Sequence, residues 1–159
     1  MSSKLAEGDP APDFSLQAQD GSPVTLGGLK GRPVVIYFYP KDFTAGCTAE
    51  TRAFGASYAR IREMGAEVLG VSSDSASTHE RFAAECGAGF RLLSDPGGKV
   101  RELYGVKPSL GLLPGRVTFV IDAGGVVRKV FSSQINPRRH VEEAMNALAE
   151  IGGSPAPPG

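Results

Sequence analysis

Val34-Val35-Ile36-Tyr37-Phe38-Tyr39-Pro40-Lys41-Asp42-Phe43-Thr44-Ala45-Gly46-Cys47 joins two patterns with different periods. The first six residues are apolar and β-branched or aromatic on both faces, as a strand covered on two sides requires. A helical pattern opens at about Gly46 and runs to Met64. Ala53, Phe54, Tyr58 and Ile61 make its inner face, Arg52, Arg60, Arg62 and Glu63 lie more outward, and Gly65 is the expected stop. Cys47 therefore falls where a buried strand turns into the first turn of a helix. Unpaired backbone N–H groups and the positive end of the helix dipole meet there. Both favour thiolate, the reactive form of cysteine.

Upstream of this junction, short alternating stretches at Ala11–Leu16 and Val24–Leu26 flank Asp20-Gly21 and predict an N-terminal β-hairpin. Gly27 to Gly31 reads as a turn and lacks the spacing of a phosphate loop. Downstream, Ala66–Val71 and Phe90–Leu93 read as strands. Between them, Ser77-Thr78-His79-Glu80 has a capping-box pattern and opens a helix ending at Cys86-Gly87. Asp95-Pro96 is a cap followed by a first-turn proline, starting a short helix through Leu103. Pro108 to Pro114 is expected to be loop. Val117–Asp122 and Val126–Phe131 form a hairpin about Ala123-Gly124-Gly125. Pro137 opens a last helix with Val141, Ala144, Met145, Leu148 and Ile151 on one face. Parallel crossovers early and an antiparallel hairpin late predict an α/β fold: a mixed central sheet with helices on both faces. One domain is expected over 5–151. Disorder is expected before about Leu5 and in the Gly/Pro tail 152–159, which has nothing to bury.

Seventeen basic and seventeen acidic side chains balance, so neither nucleic acid nor an anionic membrane is indicated as a partner. The longest apolar run, Val34 to Tyr39, is far short of the ~20 residues that span a bilayer. The start has no apolar stretch of signal-peptide type, and with only two cysteines the expectation is a cytoplasmic protein whose thiols are catalytic or free. Cys47, Cys86, His79 and His140 match no zinc spacing, so no metal or other cofactor is expected. Both histidines fall on helix stretches read as solvent faces, which leaves no histidine base beside Cys47.

Pro40-x-x-x-Thr44-x-x-Cys47 resembles the active-site signature of the peroxiredoxins. The wider segment Phe38 to Asp42 with Gly46-Cys47-Thr48-Ala49-Glu50 is similar to the bacterioferritin comigratory protein (PrxQ) branch, as are Leu93-Ser94-Asp95 and Arg116 to Asp122. The resemblance covers Leu5 to Ile151. It implies a thioredoxin-like fold, reduction of hydroperoxides by Cys47, thioredoxin or another dithiol as reductant, and a monomer. It nominates Arg116 as the cation beside the sulfur, which also suits the chemistry, because attack on an O–O bond builds negative charge on the leaving oxygen. Thr44 can set a hydroxyl against the peroxide, or act only as a helix cap. Glu50, one helical turn from Cys47, can hold a guanidinium, or only complement the dipole. Pro40 can shield the sulfur, or only form a turn.

Two departures from the family pattern stand out. Ala45 replaces a proline common among relatives, and Arg52 occupies the place of a second cysteine many of them carry. The sulfenic acid left by peroxide needs a thiol to resolve it, and Cys86 is the other thiol in the chain. Relatives that resolve from this helix place the cysteine where this chain has Ala83. Cys86 is either the resolving residue, shifted by about one turn, or a small buried hydrophobe beside Phe82. A one-cysteine cycle and a thiol-disulfide oxidoreductase are the alternatives. Absence of Cys-x-x-Cys speaks against the oxidoreductase.

Overall fold

The computed structural model describes residues 5–39, 45–106, 116–132 and 137–152. The apolar run becomes strand β3 (Val34–Phe38), and all five of its residues are buried. It pairs in parallel with β4 (Glu67–Ser72) and antiparallel with β6 (Val117–Ile121). Outward from β4 lie β5 (Arg91–Ser94), β1 (Ser15–Ala18) and β2 (Pro23–Thr25); outward from β6 lies β7 (Val127–Ser132). The sheet order is β2-β1-β5-β4-β3-β6-β7; the neighbouring pairs β3–β4 and β4–β5 are parallel and the other four are antiparallel.

Strand alternation sends Val35 and Tyr37 to one face, where Tyr39 joins them. There they meet α1 (Ala45–Glu63), α2 (Ala76–Cys86) and α4 (Pro137–Gly152) through Phe54, Ile61, Phe82, Val141 and Leu148. Ile36 and Phe38 face a second cluster with Phe14, Tyr104, Phe119 and Val100 of the short α3 (Lys99–Leu103). Helices therefore cover both faces, and the N-terminal hairpin β1–β2 is present, as expected.

Tyr37 fixes α1 to the sheet. Its ring stacks on Phe54 at 4.5 Å, and its hydroxyl is 2.9 Å from that of Thr51. The ring fits because β4 carries Gly70 alongside; a methyl there would sit 2.8 Å from Tyr37 Cζ. Thr51 lies one turn past Cys47, so this contact sets the height of the helix start.

Local expectations shift in three places. The cap of α2 is Ser75, not Ser77: Ser75 is extended, its hydroxyl accepts from the Thr78 N–H, and Ser77 lies inside the helix. Asp95 does not cap at Pro96. A 3-10 turn (Pro96–Gly98) intervenes, and the carboxylate reaches past it to accept from the N–H groups of Val100 and Arg101, opening α3. β1 starts at Ser15, because Ala11 donates its N–H to Gly125 and so ties the N-terminal segment to the β6–β7 turn. The stops at Gly65 and Gly87 hold, both with positive φ. The loop expected at Pro108–Pro114, the residues before Leu5 and the tail beyond Gly152 lie outside the described residues.

Candidate active site

Cys47 sits in the first turn of α1 and is fully buried. Glu50 follows at i+3, on the same face and equally buried. Arg116 immediately precedes β6. The β3–β6 register ends at Phe38↔Val117, so one step further Arg116 comes level with Tyr39, where β3 leaves the sheet. From there its Nη1 donates to Cys47 Sγ at 3.3 Å and to Glu50 Oε1 at 3.0 Å. Three of the residues picked from sequence are thus brought together, though they come from two elements and span 69 positions. Thr44 and Pro40 lie outside the described residues.

Burial pushes the Glu50 carboxyl up to about 8, although Arg116 opposes the shift. Desolvation disfavours the Arg116 cation, but Glu50 and Cys47 outweigh it and the net direction is up. Among the described residues, Glu50 Oε2 and Arg116 Nε are buried without a hydrogen-bond partner.

The solvent-face reading of the two histidines is wrong: both are fully buried. His140 sits on the inner stripe of α4. Its Nδ1 is 2.7 Å from Thr118 Oγ1 of β6 and 3.5 Å from Glu50 Oε2, and Phe131 packs edge-on against its ring. His79 lies on the buried stripe of α2; its Nε2 is 2.9 Å from the Leu93 carbonyl oxygen and its Nδ1 3.5 Å from the Tyr39 hydroxyl. Spacing carried a signal for each. His140 is four residues before Ala144, and His79 is three before Phe82 and seven before Cys86, all buried.

Arg101 was not foreseen. It is buried on α3 and donates from Nη2 to the Tyr39 carbonyl, 62 positions away. Desolvation lowers its pKa, while Asp95 and then Cys47 pull the other way, so it is a second cation within electrostatic reach of the sulfur. A helix of five residues offers no periodicity from which this could be read.

Cys86 ends α2, is buried and unbridged, and belongs to the same apolar cluster as Cys47. Gly55 marks its level along α1. Gly55 lies against the end of α2; a methyl on it would be 2.8 Å from the Gly87 carbonyl oxygen. Eight residues of helix separate Gly55 from Cys47, a rise of about 12 Å. Disulfide-bonded Cα atoms lie within about 7 Å.

Among the described residues no group of His, Cys, Asp and Glu could hold a metal. A cleft of about 200 Å³ lies by Val34, Lys30, Arg32 and Asp122, at the opposite end of β3 from Cys47, and takes no part in this chemistry.

The AhpC/TSA family profile matches residues 7–130. Peroxiredoxin Q of Sedum lineare, a chloroplastic protein, is 46% identical over 149 residues, covering 93% of this chain and 80% of that one. The chain belongs to the peroxiredoxin Q branch of the AhpC/TSA family. Among solved structures, the Mycobacterium tuberculosis peroxidoxin BcpB superposes with a TM-score of 0.85 at 36% identity, covering 92% of this chain and 98% of that one. The bacterioferritin comigratory protein of Xanthomonas campestris, studied for alkyl peroxide reduction, gives 0.80 at 31% identity over 86% and 90%. The fold is thus the thioredoxin-like one of the peroxiredoxins, and Cys47 stands at the head of its α1.

Proposed function

We infer that this peroxiredoxin is a thiol-dependent peroxidase in which Cys47 is the attacking sulfur. The observation that carries the assignment is the shared donor: one guanidinium nitrogen contacts both Cys47 Sγ and Glu50 Oε1. The thiolate attacks the terminal peroxide oxygen, the S–O bond forms as the O–O bond breaks, and the departing alkoxide takes a proton. The sulfur is oxidised to the sulfenic acid and the hydroperoxide reduced to an alcohol, or to water for hydrogen peroxide. Arg116, held by Glu50, is placed to stabilise charge on the sulfur before attack and on the leaving oxygen during it. Thr44 and Pro40 are assigned to the same chemistry by their place in the signature.

Cys86 is proposed as the resolving thiol, condensing with the sulfenic acid to a Cys47–Cys86 disulfide that thioredoxin or another dithiol reduces. Cys86 closes α2 beside Gly55, about two helical turns along α1 from Cys47, so the proposed bond calls for local unwinding. The same distance supports the second reading, a one-cysteine cycle resolved by an external thiol. A monomer in the cytoplasm is part of the proposal; the peroxiredoxin Q resemblance supports the monomer, and a sequence with only two cysteines supports a reducing compartment.

Wild type, Cys47→Ser and Cys86→Ser, supplied with thioredoxin and its reductase, test the scheme. Wild type should consume hydroperoxide and Cys47→Ser should not; an inactive wild type would overturn the assignment. Peptide mapping after one equivalent of peroxide separates the two cycles. A Cys47–Cys86 bridge supports the first, and persistent sulfenic acid or an intermolecular dimer the second.

A further inference from the structure

Behind Arg116 the site does not end at Glu50. Four groups form one buried row: Cys47 Sγ, Arg116 Nη1, Glu50 and His140, with the Thr118 hydroxyl beside the last. Glu50 directs one oxygen to Arg116 and the other, which has no hydrogen-bond partner among the described residues, to His140. Two titratable groups in side-chain contact, both shut off from water, act as one unit.

The charged and titratable neighbours of this unit come from each element around it. Among the described residues they include Cys47 on the same helix, Arg116 at the head of β6, and His140 itself on α4. Thr118 of β6 adds a neutral hydroxyl and Phe131 of β7 an apolar wall. Arg101 of α3 acts on Cys47. Lys129 and Arg139 pair with Glu143, and the Arg139 guanidinium also lies over the Phe131 ring, which stands between it and His140 as an apolar contact.

Charge in such a row must balance, because uncompensated charge in a buried site is costly. With Cys47 as thiolate and Arg116 as cation, the row is neutral when Glu50 and His140 together hold one proton, either as acid with imidazole or as carboxylate with imidazolium. After attack the sulfur is a neutral sulfenic acid, its negative charge having left with the alkoxide. The row then carries one positive charge in excess unless the pair gives up its proton.

We propose that Glu50 and His140 share one proton in the reduced enzyme and release it as Cys47 is oxidised, with His140 the positioning residue that holds Glu50 in this role. The step balances. Thiolate, hydroperoxide and the pair's proton become sulfenic acid, alcohol and the deprotonated pair, with no net proton drawn from bulk solvent. Reduction of Cys47 back to thiolate reloads the pair. The Thr118 hydroxyl fits both states, since it can donate to a neutral Nδ1 and accept from a protonated one.

This inference rests on the peroxidase reading, and one measurement separates the two. A single turnover with one equivalent of hydroperoxide is followed with a pH-indicator dye in weak buffer. The pH is kept below about 8 and at a value where thiolate absorbance shows Cys47 to be ionised. Sulfenic acid is counted by mass. Absence of sulfenic acid would defeat the peroxidase reading itself. With sulfenic acid formed, wild type should take up no proton from solvent, Glu50→Gln should take up close to one per sulfur oxidised, and His140→Gln an amount between the two. The wild-type rate constant toward peroxide should also fall as pH rises through about 8, and that of Glu50→Gln should stay flat. Full proton uptake by wild type, which requires no variant to fold, would overturn the proposal, as would variants that match wild-type uptake.

Discussion

One guanidinium nitrogen with two acceptors makes Arg116 the residue on which the site turns. A lysine there offers a single mobile ammonium in place of a planar fork. Arg116→Lys is therefore expected to lower kcat/KM for hydroperoxide by about 10²-fold, the scale of losing one preorganised donor; steady-state turnover checks it, and an unchanged value would remove Arg116 from the chemistry. Glu50 supplies a second prediction, through linkage. Its carboxyl, near 4.5 in the unfolded chain, is pushed by burial up to about 8 in the folded one. The folded state binds that proton more tightly, so the stability it contributes is full below 4.5, declines as pH rises toward about 8, and is gone beyond. Across this window, urea unfolding should shift steadily in favour of Glu50→Gln relative to wild type. Parallel stability curves would show Glu50 to be ionised throughout.

The junction between α1 and α2 is set by Gly55, where helix and backbone turn touch. Gly55→Ala gains about 1 kcal/mol of helix propensity and incurs about 1–3 kcal/mol of overpacking. Its neighbour is a carbonyl oxygen rather than a flexible side chain, so the clash should win. A lower thermal midpoint is the expected result, and a raised one would show that α2 can slide away freely. At this scale the reach of sequence reading is also clearest. Elements with a strong period, β3, α1 and the β6–β7 hairpin, were legible nearly to the residue. Caps were less so, because Ser75 and Ser77, or Asp95 on either side of the 3-10 turn, offer equivalent hydroxyls or carboxylates and only backbone geometry selects one. His79 and His140 are legible in principle from their stripes, but a polar side chain argues against burial unless its partners, which only the fold supplies, are in place. Arg101 was not legible at all, since only the fold brings α3 to the exit of β3.

Across the whole molecule, the chemistry is confined to the end of the sheet where β3 gives out and Arg116 enters β6. That end must stay preorganised for attack yet let Cys47 and Cys86 meet under the two-cysteine cycle. The start of α1 is held by Arg116 through Glu50 and by Tyr37 through Thr51. The end of α2 is held less firmly: the N–H groups of Gly87 and Ala88 both return to the Ala83 carbonyl, and Glu85 and Gly87 are exposed. Opening this last turn releases few hydrogen bonds and frees Cys86 to travel toward Cys47, whereas opening α1 breaks up the site. Hydrogen exchange on the peroxide-oxidised, disulfide-bonded enzyme should therefore show protection of residues 83–88 falling at least about tenfold, with β3 and α4 unchanged. Retained protection there, with loss confined to the head of α1, would place the movement on the peroxidatic helix instead. Oxidation also removes the sulfur's charge from Arg116, so the same measurement on Cys86→Ser, which stops at the sulfenic acid, separates loosening caused by lost charge from unwinding caused by the bond.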